Sequence, residues 1–192
     1  MPHPIAAIPT FNRHSRAVVE KFNHAAVPQK SRHVGLITSG LQHIAGHFDR
    51  WKFLERLDES EFEGGLWEQA NNLERFRIYR VFAPGKWRVH ADCRYSIVME
   101  NTVSDWYWSE KTSDSLLAWS VLSYFGCPRI FDHFPEAATV LIEIRDPNYV
   151  KQIQSIIAKD NWEKRLSALR KARRLSLEKH NFFAVIDKEL NH

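Results

Sequence analysis

From Trp87 to Met99 every second residue is apolar. Trp87, Val89, Ala91, Cys93, Tyr95, Ile97 and Met99 share one parity, while Arg88, His90, Asp92, Arg94, Ser96 and Glu100 take the other, with Val98 the exception. Side chains alternate across a strand, so a period of two predicts a strand with one buried face and one wet face. Arg75–Phe82 is also strand-like, and Ala83-Pro84-Gly85-Lys86 between the two runs has turn chemistry. The pair therefore reads as an antiparallel β-hairpin, with Val103–Trp108 as a third strand of a meander.

The rest of the chain is dominated by helical signals. Pro2, Pro4 and Pro9 make 1–12 a flexible arm, and Thr10 or Asn12 caps a short helix running to Ala25. Over Ser31–Leu57 the residues Val34, Ile37, Leu41, Ile44, Phe48 and Trp51 recur at spacings of three and four, which predicts one amphipathic helix. Its stripe suits core packing or a dimer seam, and Gly35, Gly40 and Gly46 within it suggest a kink or the close approach of another backbone. Shorter helices are expected at Leu66–Leu73 and Ser115–Phe125, the latter ended by Gly126 and Pro128. Thr139–Ile144 is a β-branched strand, followed by helices at Asn148–Ala158 and Trp162–Lys179, and Phe182–Ile186 folds back on the core. The fold class is α+β: N-terminal helices, a central antiparallel β-hairpin or meander, and a C-terminal strand-helix-helix segment. Residues 13–192 form a single compact unit, within which 139–180 reads as a strand-helix-helix subdomain.

With 192 residues, 44% hydrophobic and 26% charged, the chain can bury a full core. Its apolar runs, such as Phe182–Ile186, are far too short to span a bilayer, and Met1–Pro9 lacks the charged and apolar regions of a signal peptide. Cys93 and Cys127 form no CxxC pair and read as reduced core thiols. A cytoplasmic location without membrane contact is expected.

The net charge of +4 is blocked along the chain: Arg75–Arg94 and Asn161–His180 each carry +5, against −6 over Asp58–Glu74. Such blocks mark sites for polyanions or simply solvated faces. In the first block Arg75, Arg77, Arg80, Lys86, Arg88 and Arg94 interleave with Phe76, Tyr79, Phe82 and Trp87. A two-stranded ribbon of this kind fits the major groove, where arginine grips guanine or phosphate bidentately. In the second block Lys164, Arg165, Arg170, Lys171, Arg173 and Arg174 decorate a helix whose apolar stripe is Trp162, Leu166, Leu169 and Ala172, which suits phosphate contacts.

The segment Thr139-Val-Leu-Ile-Glu-Ile-Arg-Asp-Pro-Asn-Tyr-Val-Lys-Gln-Ile153, with the helical sequence after it, resembles the ribbon-helix-helix DNA-binding family, which includes the Met and Arc repressors. The resemblance covers 139–176. It implies a strand that pairs antiparallel with a second copy and enters the major groove, with Val140, Ile142 and Ile144 facing the core and Thr139, Leu141 and Glu143 facing DNA.

Motifs of catalysis are missing. The sequence holds no P-loop, no GxSxG and no dinucleotide-binding glycine fingerprint. His43 and His47 stand at i, i+4 on a helix, as zinc ligands do, but no third ligand has motif spacing. The acidic run Asp58–Glu63 lacks the spacing of a calcium loop, and Glu143-Ile-Arg145 lacks the partner of a nuclease site. The expectation is a homodimeric transcriptional regulator that binds double-stranded DNA, is not an enzyme and uses neither cofactor nor metal. The alternatives are a nucleic-acid-processing enzyme with an unrecognised site and an adaptor docking an acidic protein.

Overall fold

The computed structural model describes residues 24, 26–38, 42–59 and 86–191. Four strands, β1 (Arg32–Leu36), β2 (Cys93–Met99), β3 (Val121–Phe125) and β4 (Thr139–Leu141), form one sheet in the order β1-β2-β3-β4. Every neighbouring pair is parallel. The helices are α1 (Ala45–Glu59), α2 (Lys86–Asp92), α3 (Glu110–Leu117), α4 (Tyr149–Lys159), α5 (Leu166–Glu178) and α6 (Phe182–Leu190), with 3₁₀ turns at Ile130–Asp132, Glu136–Ala138 and Glu163–Arg165.

A parallel sheet is covered on both faces, so its strands bury both parities. β3 is buried at all five positions, and β2 at all but Arg94. The polar parity of β2 is therefore not wet. Helices α2 and α3 pack against it, and His90 Nδ1 of α2 lies 2.9 Å from Ser96 Oγ and 3.3 Å from Ser115 Oγ of α3. A hydrogen-bonded polar layer takes the place of water there.

This arrangement overturns the antiparallel hairpin. Lys86–Asp92 is a helix, the strand begins only at Cys93, and its partners are β1 (Val34 beside Tyr95) and β3 (Tyr95 beside Val121). The expected helix over Ser31–Leu57 divides into β1 and α1, and that over Ser115–Phe125 into α3 and β3. Trp119, at φ 62°, makes the second break. Val103–Trp108 is irregular rather than a strand, whereas Phe182–Leu190 is a helix. The elements expected before His24, at Leu66–Leu73 and at Arg75–Phe82 lie outside the described residues.

The ribbon-helix-helix reading fails on the same ground. β4 runs parallel to β3, with Leu122 beside Thr139 and Tyr124 beside Leu141. Thr139, expected to face DNA, is buried. The following helices exist, and α5 packs on α3 and on the 3₁₀ turn before β4.

At the amino-terminal edge of the sheet, Lys30 Nζ donates to His90 O at 2.9 Å, to Ala118 O at 2.6 Å and to Ser120 Oγ at 3.3 Å. Ser120 Oγ in turn donates to His90 O and to Cys93 O, at 2.6 and 2.7 Å. α1 and α4 meet where Phe53 stacks on Tyr149 at 4.5 Å and the Tyr149 hydroxyl donates to Phe53 O at 2.7 Å. No helix among the described residues is long and apolar enough to cross a membrane.

His180, 4% exposed, packs against Trp108 and Phe134 with ring centroids 5.5 and 5.1 Å away. Burial drives its pKa down to about 4. An unfolded histidine takes up its proton near pH 6.5, so as pH falls the unfolded state is protonated first. Stability present above pH 6.5 is lost between pH 6.5 and 4, amounting to about 2 kcal/mol by pH 5. Urea denaturation at pH 7.5 and 5.0 should show this loss, and His180→Phe should flatten it.

Candidate functional site

In sheets of this type ligands bind beyond the carboxyl ends of the strands, where the crossover loops converge. There β2 ends on Glu100, whose carboxylate is fully buried, with a side chain 0% exposed. It is held by donors from the start of α3. Ser109 N reaches Oε1 at 2.9 Å, Ser109 Oγ reaches Oε2 at 2.6 Å, Thr112 Oγ1 reaches Oε1 at 3.3 Å and Lys111 Nζ reaches Oε2 at 3.4 Å. Ser109 is extended, at φ −119° and ψ −177°, and its hydroxyl caps the helix by accepting from Lys111 N.

Two glycines let the backbones meet here. A Cβ on Gly126, just after β3, would stand 2.5 Å from Glu100 Cγ and 2.6 Å from the Tyr124 hydroxyl. On Gly46 it would overlap the Asn101 carbonyl, so α1 starts directly against the turn after β2. Arg50, one turn on, donates to Asn101 Oδ1 at 3.3 Å. The close approach suspected from the glycines of this segment is thus real at Gly46.

These contacts bring Arg50 and Lys111 together with two histidines. His47 is buried; its pKa is lowered first by desolvation and then by Arg50, His43 and Lys111 around it. Its Nδ1 accepts from His43 N at 3.2 Å. Lys111 keeps 24% of its side chain exposed, enough to reach a bound molecule. A second tie, Arg145 to Asp49 at 2.8 Å, joins α1 to the loop after β4. With the Glu100 charge bonded by α3, Arg50 and Lys111 give this edge of the sheet a positive character that suits an anion. No three His, Cys, Asp or Glu among the described residues converge to hold a metal ion.

Among the described residues, the basic residues expected to contact nucleic acid are spread over α2, β2, a 3₁₀ turn and α5. Arg75, Arg77 and Arg80 lie outside the described residues. Lys86 and Arg88 belong to α2 and not to a ribbon. Arg94 is paired with Asp160. Lys164 is exposed on a 3₁₀ turn, and Arg165 donates to Asn161 Oδ1 at 2.8 Å and to Ala137 O at 2.9 Å. Arg170, Lys171, Arg173 and Arg174 line a cavity at the amino-terminal edge of the sheet, away from Lys111.

No protein-family model and no curated protein matches the sequence. Solved structures do match in fold. An α1,3-fucosyltransferase is 14% identical with a TM-score of 0.55, over 95% of this chain and 54% of its own. An α1,3-fucosyltransferase with GDP-fucose is 15% identical with a TM-score of 0.53, over 91% and 57%. A point mutant of TarM from S. aureus, in complex with fondaparinux, α-GlcNAc-glycerol and UDP, is 15% identical with a TM-score of 0.54, over 85% and 36%. The chain thus spans about a third to just over half the length of these structures. The described residues share the fold of part of these structures, a parallel sheet with helices, and this likeness to enzymes overturns the expectation of a ribbon-helix-helix, DNA-binding regulator that is not an enzyme. The alternatives weighed on the sequence, a nucleic-acid-processing enzyme and a protein adaptor, do not match these neighbours either.

Sequence reasoning misses Arg50, Glu100, Asn101, Ser109 and Lys111 as a site because they form no contiguous motif. The signal present is positional: Glu100-Asn101 directly follows the best strand, and Ser109 has the chemistry of a helix cap. Glu100→Gln would turn one acceptor into a donor facing Ser109, Thr112 and Lys111. It should cost about 1.5–3 kcal/mol, and thermal unfolding would measure it. By the same measurement Gly126→Ala should cost about 1–3 kcal/mol, through overpacking at the same spot.

Proposed function

We propose that this chain forms the nucleotide-sugar-binding part of a glycosyltransferase. The observation that carries the reading is the convergence of Lys111, Arg50, His43 and His47 at the carboxyl edge of a parallel sheet. In glycosyl transfer the bond from the anomeric carbon to the diphosphate breaks as a new bond forms to an acceptor hydroxyl. Negative charge then builds on the departing nucleoside diphosphate. Fixed cations aimed at that charge, in a site of low dielectric, stabilise the transition state more than the ground state.

Each residue has a distinct part in this scheme. Lys111 and Arg50 face the diphosphate. Glu100 is a positioning residue that holds Lys111 and the first turn of α3. Glu110, half-buried beside Lys111, supplies an acceptor carboxylate suited to ribose hydroxyls, which carry no charge to repel it. GDP-fucose and UDP, bound in the neighbours, are donors or products of this class.

Calorimetric titration with GDP and with UDP tests the proposal. Saturable binding of one of them is expected, weakened at least tenfold by Lys111→Met or Arg50→Ala in variants whose circular dichroism matches the parent. Failure of both nucleotides to bind, or undiminished binding by both variants, would overturn it.

A further inference from the structure

A second cavity, of about 710 Å³, opens at the opposite, amino-terminal edge of the sheet. That volume is in the range of small-molecule sites. Its polar wall is one face of α5: Arg170, Arg173, Arg174 and Leu177 fall at i, i+3, i+4 and i+7, with Lys171 beside them. Glu178 is the one acid among the lining residues, and Arg174 engages it at 3.6 Å. Arg170 and Lys171, both exposed, give the wall its positive charge.

Two of these guanidinium groups are already placed. Arg173 lies over the Trp119 ring at 4.5 Å and Arg170 at 5.7 Å. Cation–π contact of this kind holds a planar guanidinium in one orientation and so reduces the ordering cost of binding. Trp119 itself is held in place: its backbone adopts φ 62°, a conformation that costs an ordinary residue about 1–2 kcal/mol, and its carbonyl accepts from Trp162 Nε1 at 2.8 Å. Strain of this sort persists where the surroundings over-determine it, and it clusters at binding sites. Arg173 is 4% exposed, and burial pulls its pKa down to about 10. Ala26, Val27, Leu177 and Trp119 add apolar surface to the wall, and His24 and Ser167 complete it.

We infer that this cavity binds a small organic phosphate, its phosphate on the Arg170–Arg174 face of α5 and its apolar part against Leu177 and Trp119. Phosphate suits planar, bidentate arginine donors. The site is distinct from the one around Lys111 and does not depend on the glycosyltransferase reading.

Phenyl phosphate is the probe, titrated by calorimetry against the full chain, with inorganic phosphate as comparison. One saturable site is expected, with phenyl phosphate at least tenfold tighter than inorganic phosphate. Arg170 and Lys171 are exposed, so the double variant Arg170→Ala/Lys171→Ala should keep the fold and lose at least tenfold in affinity. Lys111→Met should leave phenyl phosphate binding unchanged. Undetectable binding, or binding untouched by the double variant, would overturn the inference. Equal affinity for the two phosphates would overturn its apolar half, and loss of binding in Lys111→Met would assign the ligand to the other edge.

Discussion

The carboxylate of Glu100 is the pivot of this structure. Taking a carboxylate out of water costs several kcal/mol unless donors replace the lost hydration. Here Ser109, Thr112 and Lys111 replace it from a single turn of helix. Because Glu100 N also donates to Phe125 O at 2.9 Å, the same residue fixes where β2 ends relative to β3. The ends of two strands, the first turn of α3 and the glycine at 126 are thereby set in one relation, and Lys111 is held at the edge with its side chain partly exposed.

The two edges of the sheet differ in how their polar groups are used. At the amino edge Lys30 and Ser120 satisfy backbone carbonyls from the ends of α2 and α3, a sealing role in which the hydrogen bonds are made within the chain. At the carboxyl edge the cations are held by neighbours that leave part of their charge outward-facing. Between them α3 is only eight residues long, so the two polar hubs sit at the two ends of one helix. The His90–Ser96–Ser115 layer fixes that helix and α2 on the sheet, because each buried polar atom must find its one partner.

Much of the local structure was legible. The β-character of Cys93–Met99 and Thr139–Leu141, the helices at Tyr149–Lys159 and Leu166–Glu178, and the close approach at Gly46 all follow from period, caps and glycine placement. The misreadings have one source. Polar residues at alternate positions of β2 look solvent-facing, yet Ser96 and Glu100 are buried and bonded to side chains of α2 and α3. Likewise Val34 continues the helical stripe of α1 by spacing alone, although it belongs to a strand.

What the sequence determined by itself is what neighbouring residues decide: where β-branched and aromatic runs favour strands, and where an apolar run stops short of a membrane span. What only the tertiary structure decided is which strands pair and which charges meet. Val34 beside Tyr95, Glu100 beneath Ser109, and Lys111 beside His47 join residues whose spacing in the chain encodes no shared period. Parallel pairing leaves no turn signature, since its strands are joined by long crossovers, and a site built at strand ends inherits that non-locality.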